Sequence, residues 1–367
     1  MFILRVLIRN NISYSLHKRK IIQQWPCINK PPPSQQQQQR SLSSWGTAFL
    51  IVAGVPAGLY LYKCIMLVLF QNKLIYMGYI PPGSRHEQCT PDKIPSNLNI
   101  TEQTIQTPDR KQLKGFVVER KQNGNTFSMT QDLPSQQEEQ RRPIIIYFQG
   151  NAGNMIHRFD LFNKMLQAVP EATIIGICPR GFGSSSGRSS ERGLEIDAQC
   201  ILHYASSSSA FDIHRPIYIY GHSLGGGVAI GLLAKNVNQQ QRIHGLILEN
   251  TYTSILDMVK TLYPRYTPYP LIAKYFLWNH WPSLTRIHKI KTPILFLSSE
   301  KDEIVPAEHM QKLYNKFMTM SGCSDGSRMV KFPRSTHMDI YQVESVAFKS
   351  ALHTFINDNN NKVIDKQ

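Results

Sequence analysis

Acidic residues are missing from the first 86 positions of this 367-residue chain. Ten basic residues stand there instead (Arg5, Arg9, Lys18, Arg19, Lys20, Lys30, Arg40, Lys63, Lys73 and Arg85), out of a formal net charge of +16. The rest of the chain is only mildly basic, which argues against a surface built for nucleic acid. Cysteines are few and scattered, at Cys27, Cys64, Cys89, Cys178, Cys200 and Cys323, with no C-x-x-C pair. Neither a zinc site nor a disulfide framework is expected, and Cys178 and Cys200, in apolar runs, read as buried core thiols. No G-x-G-x-x-G follows a first strand, which disfavours hydride transfer with a dinucleotide. No metal or organic cofactor is expected.

What is present begins with a basic arm, residues 1–46, whose Pro31–Pro33 and Gln35–Gln39 runs cannot build a core. Its first nine residues also fit the start of a mitochondrial presequence. Thr47–Phe70 follows, the longest apolar stretch in the chain. As a helix its 24 residues would reach about 36 Å, enough to cross a bilayer's hydrocarbon core. Pro56 would kink such a helix and Lys63 would have to snorkel or find a partner. The excess of bases ahead of the stretch predicts a cytosolic N-terminus, with the remainder lumenal or outside. Asn99-Ile-Thr101 is a glycosylation sequon that suits that topology.

From Leu98 onward, short apolar runs alternate with amphipathic segments. Leu98–Thr107 and Leu113–Arg120 read as strands, and residues 121–142 as a disordered polar loop. Pro143–Phe148, Ala172–Cys178, Pro216–Tyr220, Ile243–Glu249 and Pro293–Ser298 read as buried strands, with helices over Asn154–Ala168 and Glu191–Ala205. Such a rhythm predicts an α/β fold with a mostly parallel sheet covered on both faces.

The chemistry gathers at Gly221-His222-Ser223-Leu224-Gly225, a G-x-S-x-G between a strand and an apolar helix. That is the setting of a serine nucleophile on a sharp turn, with glycines where side chains would collide. A serine nucleophile needs a base, an orienting acid and an oxyanion hole. Asp302, in the loop after Pro293–Ser298, is the expected acid, with Glu300 and Glu303 as nearby rivals. His337, in the loop after strand Arg328–Phe332, is the expected base, and His222 reads as a packing residue. The loop Phe148–Asn154 is placed to supply an oxyanion donor, the Asn151 amide, opposite that of Leu224. Its Gln149 stands where histidine is usual. About forty residues between Ile243–Glu249 and Pro293–Ser298 are rich in aromatics, including Tyr252, Tyr263, Tyr266, Tyr269, Tyr275, Phe276, Trp278 and Trp281. They read as a short cap, an apolar wall for an acyl chain, or both.

Residues 64–357 resemble the single-pass, membrane-anchored α/β-hydrolase-domain proteins of the bud-emergence (Bem) and abhydrolase-thirteen type. The segments that carry the resemblance are Leu69-Phe-Gln-Asn72, Leu74-Ile-Tyr76, Gly150-Asn-Ala-Gly-Asn154 with His157-Arg158, and Arg180-Gly-Phe-Gly183. Others are Ser223-Leu-Gly-Gly226, Glu249-Asn-Thr251, Asp302 with Pro306, and Thr336-His337. The resemblance implies an α/β-hydrolase fold, Ser223, Asp302 and His337 as nucleophile, acid and base, and a type II membrane topology. Departures are Gln149 for His, Cys178-Pro179 where Asp-Tyr precedes Arg-Gly, and Ser335 for Gly before Thr-His. Related members resemble protein depalmitoylases, without that branch's cysteine-rich N-terminus here. The expected layout is an arm (1–46), an anchor (47–70), a linker (71–97), a hydrolase domain (98–357) with its cap at about 252–290, and a polar tail (358–367). The expected activity is hydrolysis of an ester or thioester of a hydrophobic acyl group. An amidase or peptidase with the same triad, or a non-catalytic scaffold, are the alternatives.

Overall fold

The computed structural model describes residues 35–121, 142–207, 211–236, 240, 242–320 and 325–364. The chain divides into two compact units, residues 1–70 and 71–367. Most of the expected basic arm and nearly all of the expected loop 121–142 lie outside the described residues.

Among the described residues of the first unit, helix α1 (Gln35–Leu69) begins well ahead of the apolar stretch and continues through Pro56. Its Trp45–Leu69 segment, 25 residues, is long and apolar enough to cross a membrane, and Trp45, Phe49 and Val52 on it are exposed.

The second unit is built on an eight-stranded sheet. In chain order it runs α2 (Gln71–Ile75), β1 (Leu98–Gln106), β2 (Gln112–Arg120), β3 (Ile144–Phe148), α3 (Phe159–Ala168), β4 (Thr173–Ile177), α4 (Glu191–Ser207) and β5 (Ile217–His222). Then come α5 (Leu224–Lys235), β6 (Ile243–Glu249), α6 (Ile255–Leu262), α7 (Tyr269–Phe276), α8 (Ser283–Arg286), β7 (Ile294–Ser299), α9 (Ala307–Met320), β8 (Arg328–Phe332), α10 (Ile340–Val343) and α11 (Ser345–Ile364). The spatial order is β1-β2-β4-β3-β5-β6-β7-β8. The first two strands are antiparallel to their neighbours, and β4, β3, β5, β6, β7 and β8 pair in parallel.

The reason is in the side chains. Ile144-Ile-Ile-Tyr-Phe148 and Thr173-Ile-Ile-Gly-Ile177 are buried along their whole length, as strands covered on both faces must be. The β1 strand alternates and is mostly exposed, as befits a sheet edge. Helix α5 is buried from Leu224 to Leu233, so an all-apolar sequence serves there as a core helix.

Two boundaries differ from expectation. The segment 71–97 is no linker: Gln71 and Tyr76 are buried, and the Tyr76 hydroxyl donates to Asn279 Oδ1 at 2.8 Å. Its polar, aperiodic sequence hides this because the partners lie some two hundred residues away. The C-terminal tail is likewise helical through Ile364, since Asn359 is buried and Asn360 Oδ1 accepts from the Tyr218 hydroxyl at 2.6 Å. Cys178 is buried as expected, and burial pushes its thiol up to about 12; Cys200 is only half-buried.

Candidate active site

Ser223, Asp302 and His337 each stand just beyond the C-terminal end of a parallel strand, where open α/β sheets bind ligands. At the end of β5, Ser223 has φ 52° and ψ −115°, a left-handed conformation costly for a side-chain-bearing residue. The surroundings hold it there. Its N–H donates to the Glu249 carbonyl at 2.8 Å, and its own carbonyl accepts from Gly226 N–H and from Thr251 Oγ1 at 2.7 Å. A Cβ on Gly225 would run into the Phe148 carbonyl, and one on Gly221 into the backbone of Gly225 and Gly226. Those two glycines let the strand, the turn and the helix behind it close up.

The structure brings the three residues singled out from sequence together. His337 Nε2 lies 3.0 Å from Ser223 Oγ, and His337 Nδ1 lies 2.6 Å from Asp302 Oδ2. The other Asp302 oxygen accepts from the Ile304 and Val305 amides, each at 2.8 Å. The rivals stand elsewhere: Glu300 is exposed, near Lys331, and Glu303 reaches only the His337 backbone amide at 3.4 Å. His222 is buried beneath the pair. Its Nε2 is hydrogen-bonded to the His337 carbonyl at 3.1 Å, and its Nδ1 has no partner. Burial, then the adjacent His337 and Arg158, press its pKa well below the usual range, so it stays neutral.

Several contributors were not identified as such from sequence. Asn250, at φ 46°, donates to the His337 carbonyl at 3.1 Å and to Ser299 Oγ at 2.9 Å, while its own oxygen accepts from the Ser299 amide. With Glu249 and Thr251 on Ser223, the run Glu249-Asn-Thr251 thus holds both the serine turn and the histidine loop. The loop after β8 is tied down by Glu344, which accepts from the Arg334 and Ser335 amides and from Ser335 Oγ at 2.7 Å. That gives the hydroxyl of Ser335, one of the departures, a buried partner. Glu249 is itself buried, and burial raises its carboxyl to about 7 against the hydrogen bond donated by the Tyr220 hydroxyl at 2.6 Å.

The Gly150–Asn154 loop is strapped from outside. Met77 N–H donates to the Asn151 carbonyl and Gly153 N–H to the Ile80 carbonyl, both at 2.7 Å. Asn154 Nδ2 and His157 Nε2 meet Glu87 at 2.8 and 2.6 Å. Gly150 and Gly153 leave room for this: a Cβ on either would press on His222 or His157. Gln149 is buried, and its Nε2 donates to the Gly153 carbonyl at 3.3 Å while its Oε1 lacks a partner. So the side chain that replaces histidine bonds across the loop. Beside it, between Phe148, Gln149, Gly150 and Leu224, is an apolar cavity of about 20 Å³, room for little more than a water.

The cap divides in two. Tyr252 and Trp281 are buried, the latter donating from Nε1 to Tyr76 Oη at 2.9 Å, and the rings of Tyr263 and Tyr269 meet at a tilt, 4.7 Å between centroids. Tyr266, Tyr275, Phe276 and Trp278 are exposed. An apolar wall made of all eight is therefore not what the cap forms.

Comparison with known proteins agrees with the fold. Residues 143–276 match a family model described as alpha/beta hydrolase fold. The chain is 37% identical to Protein bem46 of Schizosaccharomyces pombe over 80% of this chain and 86% of that protein. It is 32% identical to the alpha/beta hydrolase domain-containing protein WAV2 of Arabidopsis thaliana, over 81% and 88%. A shorter match, 34% identical, joins 47% of this chain to 45% of the lysophosphatidylserine lipase ABHD12 of Rattus norvegicus. Among solved structures, the Pyrococcus furiosus esterase Pf2001 superposes with a TM-score of 0.53 at 15% identity, over 74% of this chain and 94% of that one.

Proposed function

Since the chain belongs to the bem46 type of α/β-hydrolase-domain proteins, we propose that it is a membrane-anchored serine hydrolase of carboxylic esters or thioesters of hydrophobic acyl groups. The observation that carries the reading is the hydrogen-bonded series Ser223 Oγ–His337 Nε2, His337 Nδ1–Asp302 Oδ2, buried at the end of the parallel strands.

In this mechanism Ser223 Oγ attacks the substrate carbonyl carbon as its proton passes to His337 Nε2. Asp302 keeps the Nδ1 proton facing it and stabilises the imidazolium that forms. The amides of Asn151 and Leu224 receive the oxyanion, the second from the N-terminus of α5, where the helix dipole adds to the stabilisation. His337 then returns the proton to the leaving alcohol or thiol, leaving an acyl-Ser223. A water, deprotonated by the same imidazole, releases the acid and restores Ser223. The lipase name of the partial relatives favours a lipid ester as substrate; a thioester, including a protein-bound palmitoyl group, would follow the same steps. Trp45–Leu69 would be the anchor, with the N-terminus cytosolic and residues 71–367 lumenal or outside.

The test is labelling by a fluorophosphonate probe in membranes. Wild type should label and Ser223→Ala should not. A folded wild-type protein that stays unlabelled would overturn the hydrolase reading in favour of a non-catalytic scaffold.

A further inference from the structure

The stretch from 258 to 299 contains no aspartate or glutamate. Within it, Lys260, Arg265 and Lys274 are exposed, and so are five large apolar or aromatic side chains: Tyr266, Leu271, Tyr275, Phe276 and Trp278. Single exposed apolar residues are ordinary. Five of them within thirteen positions, with Lys274 among them, Arg265 just ahead and no acid, are the composition of a surface that rests in a membrane interface. Leu271, Tyr275 and Trp278 follow one another at helical spacing along α7 and just past its end.

Chain continuity says which surface this is. The candidate span ends at Leu69 and Gln71 opens α2. Consecutive Cα atoms are about 3.8 Å apart, so Gln71 lies within about 8 Å of the last residue of the span. Gln71 is in turn fastened to the end of α7. Its Nε2 donates to the Phe276 carbonyl at 3.1 Å, and its Oε1 accepts from the Trp278 amide at 3.0 Å. Asn72 Oδ1 accepts from Trp278 Nε1 and from Asn279 Nδ2, at 3.2 and 2.6 Å. The end of α7 is thus tied to a residue two positions along the chain from the end of the candidate span.

We propose that the outer face of the cap, α7 with Tyr266 and Trp278, docks on the phospholipid surface of the membrane that Trp45–Leu69 crosses. The aromatic and aliphatic side chains enter the headgroup region, and Arg265 and Lys274 meet the lipid phosphates. An acylated substrate then passes to Ser223 from the membrane plane rather than from bulk water. This inference rests on the anchor assigned above, and the experiment must separate the two.

The full chain is reconstituted into phosphatidylcholine vesicles carrying a diazirine-acyl phosphatidylcholine, irradiated and digested, and the lipid adducts are mapped. Adducts on both Trp45–Leu69 and 266–278 are expected. Adducts on the span alone overturn cap docking and leave the anchor standing; adducts on neither overturn both. Cross-links from 266–278 to a second protein molecule in place of lipid would likewise overturn it. A double variant, Leu271→Glu with Tyr275→Glu, adds a functional readout. It should label with fluorophosphonate and cleave soluble p-nitrophenyl butyrate as wild type does, yet lose about tenfold or more on an acyl ester held in the vesicles. Equal losses on both substrates, or none on either, would count against the docked cap.

Discussion

At the scale of single residues the site is a set of strained or buried groups, each held by neighbours. Asp302 shows the economy of this: one oxygen faces His337, and the other is occupied by two backbone amides. Asp302→Asn keeps the shape but turns an amide N–H or a weaker acceptor toward Nδ1, favouring the wrong imidazole tautomer. We expect kcat to fall by about 10⁴ with little change in KM, read from steady-state kinetics on a soluble ester. Glu249 yields a prediction with a different readout. Its folded pKa, about 7, stands above the unfolded carboxylate value, so between the two the folded chain binds the extra proton. That contribution is fully present below the unfolded pKa and is lost as pH rises through about 7, by an amount on the order of a few kcal/mol. Glu249→Gln retains an acceptor for Tyr220 without the charge. Urea melts from pH 5 to 8 should show wild type losing stability relative to the variant as pH rises; parallel curves would refute the assignment.

At the scale of elements, the loops after β5, β6, β7 and β8 are locked to one another through Thr251, Asn250 and His337, while the loops after β3 and β4 are held from other parts of the chain. Arg180, in the loop after β4, donates from Nε to Asp197 of α4 at 2.9 Å and from Nη1 to Asp109 of the β1–β2 turn at 2.6 Å. Burial raises the Asp197 carboxyl even against this pairing. Arg180→Met would leave Asp197 buried without its cation, at a cost of about 3–5 kcal/mol, whereas Arg180→Met with Asp197→Leu should recover much of the loss. Denaturant midpoints of the three chains decide it. The central strands of this scaffold are legible in sequence because full burial writes them as apolar runs, and Ile243–Glu249 coincides with the expected bounds, as does the only partly buried Arg328–Phe332. Ser223 and Asp302 could be singled out because each follows such a run, and His337 because it stands in the loop after a later strand, in the order serine, acid, histidine. The straps are not legible that way. Met77 and Ile80 act through backbone groups, which carry no side-chain signature, and Gln71 and Asn360 look like solvated polar residues until their distant partners are known. Nor can a count of aromatics tell Trp281, fully buried, from Tyr266, 90% exposed.

At the scale of the whole molecule, the side of the membrane on which the sheet lies sets which lipids it meets. The proposed orientation, with the N-terminus cytosolic, rests on the bases ahead of Thr47. That orientation carries Asn99 to the lumenal side, and Asn99 is exposed on β1, the outermost strand of the sheet. Since among the described residues β1 pairs with β2 alone, its outer edge offers a glycan space that a central strand would not. If the topology is as proposed, expression in a secretory-competent cell should give a band shift that endoglycosidase reverses and that Asn99→Gln abolishes. A sequon engineered into the arm ahead of Trp45 should stay unmodified. The reverse pattern, with the arm glycosylated and Asn99 bare, would place residues 71–367 in the cytosol. Loss of the arm by proteolytic processing, with neither site glycosylated, would point to mitochondrial import. In each of these cases the relation of the cap to Gln71 is unchanged, so the choice of compartment decides which acyl lipids the site meets without altering how it would meet them.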